Sequence, residues 1–162
     1  LAIGHGYSCH VSLLRPLSRG SVTLASKDPL APPLIDPNLL GERDDMERLR
    51  RGFKLMREIL SQPALAALGG KELAASAGAQ SDVQIEHFIR DHADGLYHPA
   101  GSCRMGKGVL DVVDAQLRVH GIAALRVVDA SIMPRIVGGS LNAPVIMIAE
   151  KAADMIMAAQ NG

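Results

Sequence analysis

The sequence predicts an α+β fold, in which an antiparallel sheet with flanking helices is followed by a strand and a C-terminal helix. Three observations predict it: short apolar runs on either side of a turn signal, an amphipathic helical period over residues 43–60, and a mostly apolar helical segment near the end of the chain. The length of 162 residues suits one ordinary domain rather than two full ones.

The predicted sheet begins with two short runs, residues 11–14 and residues 21–25. Ser18-Arg19-Gly20 between them is typical of a turn, so we expect the two runs to pair as antiparallel strands. Four prolines then fall within residues 29–37, where a helix cannot persist. This stretch is predicted to be a structured connector of turns and extended segments.

Three helices are predicted in the middle of the chain. The first covers residues 43–60, and a short second one covers residues 64–68 before Gly69-Gly70. A third begins at Ser81-Asp82, with an inward face of Val83, Phe88 and Ile89. The inward stripe of the first helix consists of apolar residues three and four positions apart: Met46, Leu49, Phe53, Met56 and Leu60.

The last third of the chain differs in its residue pattern from the helical segments before it. Residues 97–106 are rich in turn formers, and residues 125–128 are predicted to be a buried strand. A helix follows over residues 143–157, with Pro144 in its first turn. Because its polar residues occupy a narrow arc, we expect this helix to be buried on most sides, by more protein than a small independent module supplies.

The composition argues against several classes of partner. Lys and Arg (17) balance Asp and Glu (17), and there are only four aromatic side chains, so neither the charge nor the stacking surface of a nucleic-acid-binding protein is present. No apolar run reaches the length of about 18 residues that a membrane span needs. We expect a cytoplasmic protein with reduced Cys9 and Cys103, and the start at Leu1 suggests a fragment.

Metal and hydrolase chemistry are both weakly supported. His87 and His92 are five positions apart on one predicted helix, about 140° around its axis, so they cannot chelate one metal ion together. Ser140, His98 and Asp129 could be drawn as a hydrolase triad, but the residues around Ser140 do not form G-x-S-x-G. No metal site is predicted.

Three segments carry a resemblance to a known family: residues 97–106 (YHPAGSCRMG), 125–134 (LRVVDASIMP) and 142–154 (NAPVIMIAEKAAD). In this order they closely resemble the C-terminal region of the glucose-methanol-choline (GMC) oxidoreductases. The stretches 14–20 and 33–38 resemble the start of the same region. The resemblance implies that residues 1–95 belong to the substrate-side part, and that residues 96–162 supply the catalytic loop, strand and helix of an FAD-binding domain.

The resemblance implies an FAD-dependent, choline-like alcohol dehydrogenase or oxidase, in which the alcohol carbon gives a hydride to flavin N5. His98 matches the catalytic histidine of the family, and a neutral imidazole can accept the hydroxyl proton. An isolated histidine in such a turn would more often bond a backbone carbonyl. Ser140 departs from the family, which usually has a second His or Asn there to hold the substrate oxygen. A hydroxyl is shorter and cannot be charged.

The same resemblance assigns residues to the cofactor. Asp129 and Ala130 match a segment that passes close to the ribose and pyrophosphate of FAD. Asn142, Ala143 and Pro144 open the last helix, whose N-terminal amides would suit the electron-rich pyrimidine edge of reduced flavin. Two plainer interpretations stay open: Asp129 caps a turn, and Asn142 caps the helix.

The family's G-x-G-x-x-G segment, which holds the ADP part of FAD, does not occur in these residues. The resemblance therefore implies the C-terminal portion of a longer protein that binds FAD, and we expect the 162 residues alone to bind FAD weakly and to leave alcohols unoxidised. The expected partners are the alcohol substrate and the N-terminal FAD-binding portion. The alternative is a non-catalytic module whose apolar last helix docks on a partner or on a second copy of itself.

Overall fold

The computed structural model describes residues 5–160, which divide into two compact units. The first unit contains the N-terminal stretch up to Gly20 and Pro37–Asp94, and the second contains Ser21–Asp36 and the chain from Gly95 onward. In chain order the elements are β1 (Ser21–Thr23), β2 (Leu34–Asp36), α1 (Arg43–Leu60), α2 (Pro63–Ala66), α3 (Ala74–Ala77), α4 (Asp82–His92), a 3₁₀ turn (Ala130–Ile132) and α5 (Asn142–Gln160).

The chain contains a small two-stranded antiparallel sheet and several helices, as expected for the α+β class, but the predicted strand pairing is wrong. β1 pairs with β2, so that Ser21 lies opposite Asp36 and Thr23 lies opposite Leu34. Residues 11–14 form no strand. Residues 24–33 turn the chain back, with a bond from the Ala31 N–H to the Asp28 carbonyl, so that the segment after the turn becomes the partner of β1. The segment before Gly20 is bound instead to the start of α1.

The core of the first unit lies between α1 and α4, which begin and end close to the predicted residues. Its buried side chains are Met46, Phe53, Ala79, Ile85 and Ile89. Ser81 caps α4 in a capping box with Gln84. The inward assignment of Val83 is wrong: its side chain is 65% exposed, because the apolar stripe of α4 runs through Ile85 and Ile89, one turn apart.

The short helix α3 and the loop around it are held by one arginine of α1. The guanidinium of Arg57 lies 4.6 Å from the centre of the Phe53 ring and donates to the Ala79 carbonyl over 2.6 Å. It also forms an ion pair with Glu72, with a nitrogen-to-oxygen distance of 2.9 Å. Helix α3 is not predicted from the sequence, because its four residues are too few to show a helical period.

A buried carboxylate joins the N-terminal segment to α1. Asp45 is 1% exposed, and its oxygens accept hydrogen bonds from the Leu17 N–H (2.9 Å), the Ser18 N–H (2.7 Å) and the Ser18 hydroxyl (2.5 Å). Burial acts to raise the pKa of Asp45, but the hydrogen bonds from Ser18 and Leu17 and the charge of Arg48 lower it by more. Its pKa therefore lies below the ordinary value of 3.8.

The second unit has its own core, which consists of Val113, Leu117, Ile132, Met133, Leu141, Ile148 and Ala152. The predicted buried strand over residues 125–128 is not formed. A single antiparallel bridge joins Arg126 to Arg118, and Leu125 is 46% exposed. Residues 117–119 pair with this segment across a tight turn around Gly121. The pairing is too short to form a strand ladder.

Helix α5 is present as predicted, and residues 5–160 do not bury it on most sides, so its burial by further protein stays a prediction. It packs through one stripe that contains Ile148 and Ala152, whereas Ile146, Met147 and Met157 are each more than half exposed. Residues 5–160 thus cover this helix on one side. Among these residues, no helix is both long and apolar enough to cross a membrane.

We expect the substitution Asp45→Ala to lower the free energy of unfolding by about 2–3 kcal/mol, because it leaves donors that bonded to a charged acceptor without a partner. The exposed neighbour Asp44 is the matched control, and Asp44→Ala should change stability by less than about 0.5 kcal/mol. Urea unfolding followed by circular dichroism measures both.

The stabilising effect of Asp45 should also depend on pH. Because its pKa in the folded chain is lowered, its contribution is complete above the ordinary value of 3.8 and is lost as the pH falls through the folded value. Equal stability of wild type and Asp45→Ala at pH 7 would contradict this account.

Candidate active site

The loop that contains His98 is exposed and has an unusual backbone. Tyr97 has a positive φ of 58° and a side chain that is 88% exposed, and His98 beside it is also exposed. Gly101 has a φ of +86°, and a Cβ atom built there would lie 3.1 Å from the Met133 carbonyl oxygen. The glycine therefore allows both the left-handed conformation and the close approach of the loop to residue 133.

Backbone hydrogen bonds fix this loop along the residues that follow Asp129. The N–H groups of Gly101, Cys103 and Met105 donate to the carbonyls of Ala130, Ser131 and Ile132, over 3.3, 2.9 and 2.8 Å. These three bonds need no particular side chain. They set the register of residues 101–105 along residues 130–132, and thereby bring the His98 loop to the Asp129-Ala130 segment.

Asp129 caps the 3₁₀ turn of Ala130–Ile132. Its Oδ1 atom accepts the Ser131 N–H over 2.7 Å, and the carboxylate is exposed, whereas Ala130 is half-buried. The capping role that the sequence left open is therefore present. It uses Oδ1 and leaves the carboxylate accessible to a hydroxyl donor, so capping and contact with a ribose are compatible.

At the other end of the candidate site, α5 begins with its first residues exposed. The Val145 N–H donates to the Leu141 carbonyl over 2.9 Å, which places Leu141 at the N-cap position and Asn142 at the first helical position. Plain capping by Asn142 is therefore not what starts the helix. Ser140, Asn142 and Ala143 are exposed and Pro144 is half-buried.

The core of the second unit joins these pieces. Ile132 and Met133 follow Ser131, next to the Asp129-Ala130 segment, and Leu141 lies between Ser140 and Asn142. All three are buried in the same cluster as Ile148 of α5. The predicted site residues lie on segments that this core supports or that are bonded to such a segment: Ala130 and Pro144 are half-buried, and His98, Ser140, Asp129, Asn142 and Ala143 are exposed.

A side-chain cluster that was not predicted from the sequence closes the turn after this loop. Asp111 accepts the Arg104 Nε–H over 2.5 Å and the Gly108 N–H over 2.6 Å. The Arg104 guanidinium, the Gly108 N–H and the charge of His120 hold the pKa of Asp111 below its ordinary range. The G-x-G spacing with an Asp three residues later was the available signal.

Within residues 5–160, no three His, Cys, Asp or Glu side chains come together as a metal site. The ring of His92 stacks on that of Phe88 at 4.2 Å between centroids. A flavin dinucleotide, in contrast, fits the groups that are present. The exposed Asp129 carboxylate suits ribose hydroxyls, and the N-terminal amides of α5 suit an electron-rich ring edge.

The chain is similar in sequence to a known family of proteins. The family model described as GMC oxidoreductase matches residues 16–149. An oxygen-dependent choline dehydrogenase from Chromohalobacter salexigens is 49% identical over 152 residues, which are 94% of this chain and 27% of that protein.

Two solved structures are also similar to the chain. An FAD-dependent oxidoreductase from Chaetomium thermophilum matches 91% of this chain and 26% of its own, with 31% identity and a TM-score of 0.85. A fungal aryl-alcohol oxidase matches 93% of this chain and 25% of its own, with 36% identity and a TM-score of 0.81. The chain thus spans about a quarter of the length of these proteins.

We expect Gly101→Ala to lower the free energy of unfolding by about 1–2 kcal/mol, because a side chain strains the left-handed backbone and approaches residue 133. Gly139→Ala is the matched control: a Cβ there meets no atom within 4 Å, and the change should cost less than about 0.5 kcal/mol. Thermal unfolding compares the two, and equal midpoints would show that the loop does not need the glycine.

Proposed function

The chain belongs to the GMC oxidoreductase family, and on that premise we propose that it is the C-terminal part of an FAD-dependent enzyme that oxidises choline or a similar alcohol. The observation that carries the proposal is the fixed placement of the His98 loop along the segment after Asp129. The substrate class is supported by the 49% identity to an oxygen-dependent choline dehydrogenase.

In this proposal His98 is the group that receives the proton of the alcohol hydroxyl. An imidazole suits this task because it exchanges a proton near neutral pH. His98 is exposed, and the backbone bonds that begin at Gly101 anchor the loop three residues after it; this supports the role, since a base must be both accessible and held in place. Ser140 would donate a hydrogen bond to the same substrate oxygen and so help to orient it.

The cofactor would be held by two parts of the second unit. Asp129 and Ala130 are suited to the ribose and pyrophosphate, and the amino end of α5, with Asn142, Ala143 and Pro144, is suited to the pyrimidine edge of the ring. When bound, FAD supplies the acceptor for the hydride that leaves the alcohol carbon. The residues of this chain orient the alcohol and take up its proton.

Residues 1–95 would belong to the substrate side of the enzyme and residues 96–162 to its FAD side. The exposed apolar side chains of α5, such as Ile146 and Met147, would then be covered by the remainder of the longer protein, and the 162 residues alone would not oxidise alcohols. The same exposed side chains favour the second candidate, a docking module that self-associates. Light scattering of the isolated chain distinguishes a monomer from such an oligomer.

We expect His98→Gln in the full-length enzyme to lower kcat for choline by about 10²–10⁴-fold, since glutamine cannot accept the hydroxyl proton. His87→Gln, on the exposed side of α4, is the control and should keep wild-type turnover. Steady-state kinetics with flavin-saturated enzyme measure both, and wild-type turnover by the His98 variant would overturn the proposed role.

We expect Ser140→Asn to raise alcohol turnover, because the longer amide reaches the substrate oxygen directly, as the usual residue of the family does. Ser140→Ala should lower it, since the methyl group donates no hydrogen bond. Turnover numbers of the two full-length variants test this. A slower asparagine variant would mean that the site is adapted to the hydroxyl.

A further inference from the structure

We propose that Asp111 is a positioning residue for the loop that carries His98. It closes the turn over residues 104–111, and this turn holds residues 101–105 in register along residues 130–132. The proposal rests on the proposed function of His98 as the base.

The Asp111 carboxylate closes the turn over residues 104–111. Both oxygens of the Asp111 carboxylate are engaged, one by the Arg104 Nε–H at 2.5 Å and the other by the Gly108 N–H at 2.6 Å, and the Asp111 N–H donates to the Gly108 carbonyl over 3.0 Å. A Cβ atom at Gly106 would lie 2.1 Å from Asp111 Oδ2. The carboxylate therefore lies directly against the backbone of the turn.

Arg104 joins this turn to the loop that contains His98. Arg104 lies between Cys103 and Met105, whose N–H groups bond to Ser131 and Ile132, and its own carbonyl accepts the Val112 N–H over 2.9 Å. Its side chain points to Asp111. Arg104 is thus held through both its backbone and its side chain. We expect a displacement of Arg104 to shift the N–H groups of Cys103 and Met105.

The far side of the turn is attached to the core of the second unit. The Gly106 N–H donates to the Val113 carbonyl over 3.0 Å, and His120 Nε2 lies 3.0 Å from the Gly106 carbonyl oxygen. Val113 itself is fully buried in the core that also contains Ile132. The turn is therefore fastened to the same core as the residues along which the loop lies, and Asp111 is the side chain that closes it.

A second aspartate of the chain provides a matched control. Asp114 accepts the N–H groups of Gln116 and Arg118 and forms an ion pair with the Arg118 side chain, so it makes the same kinds of contact in the next turn. The contacts of the Asp114 carboxylate stay within its own turn and do not include residues 97–106. Both aspartates accept backbone N–H groups and pair with an arginine, but only the turn of Asp111 is joined to the loop of residues 97–106.

The test compares Asp111→Ala, Asp114→Ala and His98→Gln in the flavin-loaded full-length enzyme. We expect Asp111→Ala to lower kcat for choline by about tenfold with KM changed less than about threefold, because a displaced base affects the chemical step more than binding. Asp114→Ala should keep kcat within about twofold of wild type. Amide hydrogen exchange at Cys103 and Met105 should be faster in the Asp111 variant alone, with or without flavin.

Equal loss of kcat in the two alanine variants, or wild-type kcat and exchange in Asp111→Ala, would overturn the positioning role. If Asp111→Ala does not fold, Asp111→Asn replaces it. Its amide oxygen keeps one acceptor, so kcat between wild type and the tenfold loss supports the proposal, and wild-type kcat overturns it. Failure of the proposed function is distinct: it would appear as wild-type turnover by His98→Gln, whatever Asp111 does.

Discussion

The candidate site depends on three backbone hydrogen bonds, from the N–H groups of residues 101, 103 and 105 to the carbonyls of residues 130–132. They join the loop of His98 to the segment that begins at Asp129, although about thirty residues separate the two in sequence. Bonds of this kind hold the main chain rather than a side chain, and so they leave both His98 and Asp129 exposed to a ligand. The loop of His98 and the Asp129 segment can then be held relative to each other without either side chain being buried.

The core beneath these bonds explains why the geometry extends to α5. Ile132, Leu141 and Ile148 belong to one buried cluster, so the 3₁₀ turn and the amino end of α5 share the same support. The residues that alternate with them in sequence, such as Ser140 and Asn142, are thereby turned outward. A single packed core therefore supports both the 3₁₀ turn and the residues at the amino end of α5.

Local patterns in the sequence predicted the elements that depend on local physics. The stripe through Met46 and Phe53 predicted α1, and Ser81 predicted the start of α4. The predicted pairing of residues 11–14 with β1 failed, and the hydrogen bonds that Leu17 and Ser18 form instead with Asp45, 28 and 27 residues away, are distant contacts that no local pattern contains. The three segments of the candidate site were found by resemblance, whereas the closure of the turn by Arg104 and Asp111 involves loop residues that have no periodic signal.

The central claim is that the fixed loop presents the imidazole of residue 98 to a flavin that residues 129–130 and the amino end of α5 help to bind. A crystal structure of the full-length protein with its flavin tests this most directly. The account predicts that the His98 ring and the Ser140 hydroxyl both face the reactive edge of the flavin ring, with Asn142 at its pyrimidine side. A structure in which the imidazole points away from the flavin, or in which Asp129 and α5 make no contact with the cofactor, would contradict it.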